Sequence, residues 1–596
     1  MSKQMYTSEE AFQVLTLTDE SSGELSSSDS DSEYEPVESS GSVTDSEEES
    51  ISPKRMRSSE EEASASTVHH PTEEASSTVP LDERGHTSLP EALANPLWLP
   101  CDSGSASIPP FTAQPGIQAN TENSTPIDFF HLFFTDHLFH LIVDQSNLFA
   151  QQYIANNPNA NFAPPFEWTP VTVEELKKFL GLTLNMGLTQ INEVQAYWST
   201  NPIYHMPLYS SVMSRTRYEM IMRFLHFSDN SLCPPRNHPE YDKLFKIRPL
   251  INFFSQKFAQ LYIPEKHICI DESLILFTGR LGLKWHTRNK KDRSGVKLYK
   301  LCERASGYTY AFRVYEGKDS QLEPPDCPSY MGNSGKIVLD LALPLFQKGY
   351  HLYVNEYYTS LPLFHHLYHQ KTLACGIVRR SHKGFPQRLV TTRLQRGESM
   401  SLRNDDVLAL KWRNKRDVYV LSSIHNNISV ETHGRHGPVQ IPECIHDYNR
   451  FMGGVDFNDQ KLQPFLATKM SRHWYKKVSI YLFQLAIYNS YVLYHKSVER
   501  PASFLEFQED IVRALIYQEG PPPDIIRTDA VSRLYERHFP ENIPPTETGR
   551  KRQKKCKVCS ENGVSCDTPF HCPQCPSQPG LCIGSCFQRY HTLLTY

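Results

Sequence analysis

Residues 351–379 read HLYVNEYYTSLPLFHHLYHQKTLACGIVR. The stretch opens as a strand, HLYVNEYY, continues as a helix over 360–371 and closes as a second strand over 372–379. Just upstream, 335–349 reads as another helix, delimited by Pro344, whose ring cannot sit in a helix interior. Before that, 294–303 and 308–317 form a hairpin across the turn at Ala305–Gly307, and KHICIDESLILF (266–277) is one strand or a pair. The order β-β-β-α-β-α-β predicts an α/β core, a central mixed sheet with helices on its faces.

Outside this core the period becomes helical. FFHLFFTDHLFHLIVDQSN (129–147) spaces its apolar residues for a buried or amphipathic helix. Thr172 and Glu175 make a capping box ahead of the next one. RTRYEMIMRFLHF (215–227) is a third, whose Arg215, Arg217 and Arg223 contact either phosphates or solvent. Helical period returns over 471–499. Residues 380–440 have a different texture: VLALKWRNKRDVYVLSSIH is a hairpin, and the whole stretch reads as a small β-rich insertion.

Charge is distributed unevenly. Residues 1–84 hold 21 Asp or Glu against 5 Lys or Arg, so within a net charge of −6 the rest of the chain carries +10. An acidic tail precedes a basic body, and a basic body suits nucleic acid. The Ser, Asp and Glu runs of residues 1–124 bury too little apolar area to offset ordering entropy, so this segment is expected to be disordered. It is either a solubilising tail or, through sites such as Ser28 and Ser30, a phosphorylatable partner-recruiting one. Neither a membrane-spanning apolar run nor a secretion signal is present, which predicts an intracellular protein with few disulfides.

Seven of the 14 cysteines lie between 556 and 586. Cys556, Cys559, Cys566, Cys572, Cys575, Cys582 and Cys586, with His591, number eight, enough for two tetrahedral Zn²⁺ sites. His571 competes with Cys566 for one place. A segment of this size with little core needs such a metal to fold. Arg550, Lys551, Arg552, Lys554 and Lys555 precede it as a basic linker, suited to phosphate contact or nuclear import, and PKRMR (53–57) is a second basic cluster. Zinc modules also bind proteins, so the basic flank tips the reading towards DNA.

Three carboxylates stand in motifs that could hold a divalent cation: Asp271 in CIDES, and Asp456 and Asp459 in FMGGVDFNDQK, where three-residue spacing sets two acids on one helical face. FMGGVDFNDQK, CIDESLILFTGR, YYTSLPLF and CPQCPSQPGLCIGSCFQRYHT together resemble the piggyBac transposases and the genes derived from them, over residues 126–596. The resemblance implies a ribonuclease-H-like catalytic core (265–379 and 441–460) with a β-rich insertion (380–440). A split α-helical dimerisation and DNA-binding domain (125–264 and 461–535), a basic linker (536–555) and a Cys-rich zinc domain (556–596) flank it. It further implies a homodimer in the nucleus acting on transposon ends and TTAA targets in double-stranded DNA, with Mg²⁺ or Mn²⁺ at an Asp-Asp-Asp triad. Asp271 falls on the first Asp, Asp456 on the third and Asp459 on an accessory one. The second position is Asn355, whose amide has a carboxylate's shape without its charge, and hard cations prefer anionic oxygen. Glu356, Asp340 and Asp459 are the conceivable substitutes. Catalysis is therefore expected to be impaired; the alternative is a non-catalytic nuclear DNA-binding or chromatin-interaction protein.

Overall fold

In the computed structural model the described residues are 89–101, 108–157, 168–277, 284–286, 294–317, 322–434, 437–467, 473–517, 538–546, 549–575 and 577–593. The strands, in chain order, are β1 (Leu99–Pro100), β2 (Gly116–Ile117), β3 (Tyr262–Ile263), β4 (His267–Leu276), β5 (Lys284–His286), β6 (Ser294–Glu303), β7 (Thr309–Val314), β8 (His351–Val354), β9 (Leu373–Ile377), β10 (Ser399–Asn404), β11 (Val407–Arg413), β12 (Asp417–Ser422), β13 (Ser429–Gly434) and β14 (Gly437–Pro442). Among the described residues ten of them form one sheet, ordered β1-β10-β11-β12-β9-β8-β4-β6-β5, with β7 also on β6.

β8 and β9 run parallel to β4, and the others in this sheet are antiparallel to their neighbours. The crossover from β8 to β9 is the helix Leu361–His369, capped by Ser360, whose Oγ accepts the Leu363 N–H. That cap and the apolar face of Leu361, Leu363, Phe364 and Leu367, all buried, explain why the sequence turns helical there. β4 is a single strand rather than a pair.

Two expectations are refined. The 380–440 stretch is β-rich as expected, and its strands over 399–422 join the central sheet: β12 pairs with β9, so β10, β11 and β12 widen it. Among the described residues of this stretch, β13 and β14 stand apart as a two-stranded hairpin. Second, the segment expected to be disordered includes ordered chain. β1 pairs with β10, β2 pairs with β3, and Trp98 Nε1 donates to the Gly384 carbonyl at 3.1 Å. Long-range pairing with strands far along the chain, which composition does not record, holds these residues; residues 1–88 lie outside the described ones.

Helices that precede β3 in sequence pack against helices that follow β14. Trp474–Ser497 lies against Pro126–Phe133 and Arg248–Leu261, and Phe504–Tyr517 lies against Val173–Thr189. Trp474–Ser497 is buried almost all round, as expected of a helix inside a core. Asn489 on it brackets β7, accepting the Thr309 N–H at 3.0 Å and donating to the Thr309 carbonyl at 2.9 Å. The predicted 129–147 helix is two, Pro126–Phe133 and Asp136–Asn156, broken at Phe134–Thr135. Arg217 is tied to the Glu175 carboxylate at 2.6 and 2.5 Å, so it braces two helices rather than facing solvent or phosphate. None of the helices formed by the described residues is long and apolar enough to cross a membrane.

Candidate active site and C-terminal metal centre

β8 pairs with β4 only as far as Val354 opposite Ile270. Beyond that point β4 continues with β6 alone, and the gap left at the end of β8 holds the candidate site. Asp271 is the first β4 residue past the pairing, and Asn355 is the first residue past β8. Asn355 Nδ2 donates to Asp271 Oδ1 at 2.8 Å and to Glu272 Oε2 at 3.3 Å, while its Oδ1 accepts the Tyr357 N–H at 2.9 Å. The backbone N–H thus fixes which end of the amide faces the carboxylates.

Asp456 arrives on the helix Gly454–Leu462, which packs on β4 and β6. Gly454 allows the close approach: a Cβ there would stand 2.7 Å from Cys269 Sγ and 3.2 Å from the Glu303 carbonyl oxygen. Burial, then the charge of Glu272 and that of Asp456, push the Asp271 carboxyl up to about 7. The site concentrates negative charge that a cation or a proton must offset.

Asp459 has a different setting. Ser273 Oγ and Lys300 Nζ each donate to it at 2.7 Å, and Lys300 also donates to Asn458 Oδ1 at 2.7 Å. Lys300 is fully buried; burial pulls its pKa down, but Tyr481 and Asp459 override this and hold the ammonium charged. The other conceivable substitutes for Asn355 are also engaged elsewhere: Glu356 pairs with Arg379 at 3.4 Å and Asp340 with Arg313 at 3.0 Å. The carboxylate that does reach Asn355 is Glu272, which sequence reasoning missed. Side chains alternate along a strand, so neighbours Asp271 and Glu272 belong to opposite faces. Both touch Asn355 because, among the described residues, no strand pairs with β4 on that side beyond Val354.

The C-terminal segment gathers two sets of four. Cys556, Cys559, Cys582 and Cys586 lie within 4.8 Å of one another, and so do His538, Cys572, Cys575 and His591. Tetrahedral Zn²⁺ with bonds of ~2.3 Å needs sulfurs about 3.8 Å apart, and Cys559 and Cys586 Sγ are at 3.6 Å. His591 Nδ1 contacts the Phe587 carbonyl oxygen at 2.8 Å, which turns Nε2 to Cys575 Sγ at 3.5 Å. Burial pushes the Cys556 thiol up, but N–H groups of Cys559 and Cys582 outweigh this and lower it. The contact with Cys586 pushes the Cys559 thiol up and burial pushes that of Cys582 up, so the four sulfurs share their protons until a cation replaces them. The residues therefore fit zinc.

One expected ligand changes. Cys566 lies 3.6 Å from Cys582 Sγ but outside both sets, and His571 is buried between strands with Nδ1 unpartnered. His538 takes the eighth place. It precedes the first knuckle by too long a spacing to announce itself, and is delivered by the pairing of Glu541–Asn542 with Phe570–His571. Arg550, Lys551, Arg552 and Lys555 are exposed, whereas Lys554 is half-buried and donates to the Gln578 carbonyl at 2.8 Å.

Residues 125–491 match the family model described as Transposase IS4, and residues 541–592 match that described as DDE_Tnp_1-like zinc finger. This chain belongs to the piggyBac transposase family. It is similar to "PiggyBac transposable element-derived protein 3" of Homo sapiens, 27% identical over 78% of this chain and 76% of that protein. "PiggyBac transposable element-derived protein 2" of Homo sapiens is 26% identical over 63% of this chain and 62% of that one. A solved piggyBac transposase synaptic complex with hairpin DNA shares the fold, with a TM-score of 0.62 and 22% identity over 79% of this chain and 98% of that one. The piggyBac architecture accounts for the mixed α/β core and the Cys-rich C-terminal domain.

Proposed function

We propose that this is a transposase-derived DNA-binding protein of the nucleus whose strand-cleavage site is impaired. The observation that carries the reading is the orientation of Asn355. At the place where the family resemblance sets the second Asp, the chain presents an N–H donor, locked by the Tyr357 N–H, to the neighbouring carboxylates.

Asp271 and Asp456 are the residues that would hold Mg²⁺ or Mn²⁺. Bound there, the metal supplies an activated oxygen nucleophile and stabilises the leaving oxygen. Asp459 orders the site by fixing Lys300 against the 454–462 helix. The zinc domain, with Arg550, Lys551, Arg552 and Lys555 exposed beside it, grips phosphates at the DNA ends, an interaction that weakens with salt. A homodimer acting at TTAA sites completes the reading, as the family resemblance implies; the DNA partner is in line with the relationship to a transposase solved in complex with hairpin DNA. Asn355 with Asp459 occupied by Lys300 also favours the second reading, a nuclear DNA-binding or chromatin-interaction protein with no catalysis at all.

The test starts from DNA that the chain itself selects from a random pool. Plasmids carrying that sequence beside TTAA are offered to the chain and to Asn355→Asp. Excision by Asn355→Asp at least ~100-fold above the parent is expected, since that substitution restores an anionic oxygen. Equal excision by the two removes the claim of impairment. No excision by either, with selective DNA binding retained, favours the non-catalytic reading.

A further inference from the structure

We infer that a cavity at the start of β4 binds a phosphate dianion, either inorganic phosphate or the terminal monoester of a small molecule. The cavity measures about 240 Å³ and is lined by Glu265, His267, Arg304, Ala305, Arg450 and Phe451. His267 opens β4, four residues and ~13 Å along the strand from Asp271. The inference goes beyond the proposed strand-cleavage site and shares no residue with it.

Positive charge dominates this lining. Neither Arg304 nor Arg450 has an ion-pair partner among the described residues. Arg304 is fixed at both ends: its backbone N–H donates to the His267 carbonyl at 3.2 Å and its Nε to the Arg450 carbonyl at 2.6 Å. That leaves its two Nη groups as an unpaired fork. Arg450 is exposed, with its guanidinium carbon 5.1 Å from the Phe451 ring centroid. His267 fixes that ring in turn, stacked on it with centroids 3.8 Å apart and planes 5° apart. The carboxylate in the lining, Glu265, is offset by Lys496 at 3.0 Å, which also reaches Glu303 at 3.1 Å. The imidazole of His267 senses the surplus. Burial and then Lys266 hold it below the usual range, and Arg450 adds to them against the pull of Asp447.

Size and charge select the ligand. The volume falls short of the ~300–1,000 Å³ typical of drug-sized ligands, so the cavity takes a small group. Guanidinium forks match phosphate oxygens bidentately, and two of them stand unpaired here. A terminal monoester carries about −1.5 to −2 at pH 7, against about −1 for a backbone diester. A diester must also continue on both sides, which suits an open track rather than a cavity.

The experiment treats the zinc-loaded full-length chain with phenylglyoxal, which modifies guanidinium groups, and reads each arginine by peptide mass spectrometry. Millimolar inorganic phosphate or a nucleoside monophosphate, added at constant ionic strength, is expected to slow modification of Arg304 and Arg450 about tenfold. Exposed Arg500 should react at an unchanged rate. Protection by either probe supports the inference, and the better protector names the source of the phosphate. Arg304→Lys is expected to abolish the protection of Arg450, since lysine offers a point charge in place of the fork. Equal modification of Arg450 with and without both probes overturns the inference. So does equal protection of Arg500, which marks general charge screening. Protection by duplex DNA without terminal phosphates, and by neither small probe, overturns it too and assigns the arginines to a DNA track. If Arg304→Lys loses its fold by circular dichroism, Arg450→Gln decides, and full protection of Arg304 in that variant overturns the inference.

Discussion

Replacing Asn355 by Asp should make the metal-free protein less stable and the metal-bound protein more so. In the same rotamer the new oxygen stands 2.8 Å from Asp271 Oδ1 and 3.3 Å from Glu272 Oε2. At an effective dielectric near 20, one such contact between full charges costs ~6 kcal/mol. The site will not bear that, because taking up a proton costs less. At pH 7 protonating a carboxyl whose unfolded pKa is ~3.9 costs about 4 kcal/mol, and at pH 5 about 1.5 kcal/mol. Protonation therefore caps the penalty. The sign follows from the raised pKa: the folded state binds the extra proton, so the penalty is absent below pH ~4 and grows as pH rises towards the folded value. Metal-free Asn355→Asp should lose at most about 4 kcal/mol relative to the parent at pH 7 and well under about 1.5 kcal/mol at pH 5, where Asp271, at about 7 in the parent, already holds a proton it can donate to the new carboxylate. Millimolar Mn²⁺ should raise its unfolding midpoint well beyond the shift seen in the parent. Differential scanning at one fixed scan rate, with and without chelator, measures both. A metal-free midpoint equal to the parent's at pH 7, or equal Mn²⁺ shifts, would refute the placement of this amide between two carboxylates.

Other expectations can be checked one by one. His538→Ala and Cys559→Ser should each lower the zinc content from two ions per chain to one, while Cys566→Ser keeps both, as read by elemental analysis. Lys300→Met should destabilise by roughly 1–3 kcal/mol, because it removes the buried cation from Asp459, whose side chain is 36% exposed and so partly rescued by water; an unchanged midpoint would show that the pair contributes nothing. Gly454→Ala should cost about 1–3 kcal/mol, since its methyl must displace Cys269 Sγ or the β6 backbone, and thermal unfolding measures it.

The parts of this fold that announce themselves are local. The β8–helix–β9 unit was legible because HLYV, the Ser360 cap and LACGI are each consistent over a few residues. Asn355 could be singled out because it stands at a strand end in a recognisable motif. What stayed hidden is non-local. Joining β12 to β9 depends on a register between distant segments, and so does pairing Leu99–Pro100 with β10 and Gly116–Ile117 with β3. His538 enters the zinc set through a two-residue strand pair that no spacing rule anticipates. Glu272 was passed over because alternation along β4 assigns it to the other face, and only the early end of β8 lets both faces share one amide. The break at Phe134–Thr135 was missed because the apolar period runs straight through it.

β1 has a consequence for how the protein can be handled. Leu99–Pro100 covers β10, which would otherwise end the sheet as a row of open N–H and carbonyl groups. Two residues are a minimal cover, and proline supplies no amide hydrogen for another strand to dock on. A truncation beginning at residue 125, where the transposase match starts, would keep every carboxylate of the candidate site and yet strip that edge. Bare edges recruit strands from other molecules, so such a fragment should clump although its active centre is whole. Soluble preparations of the core should begin upstream of Leu99.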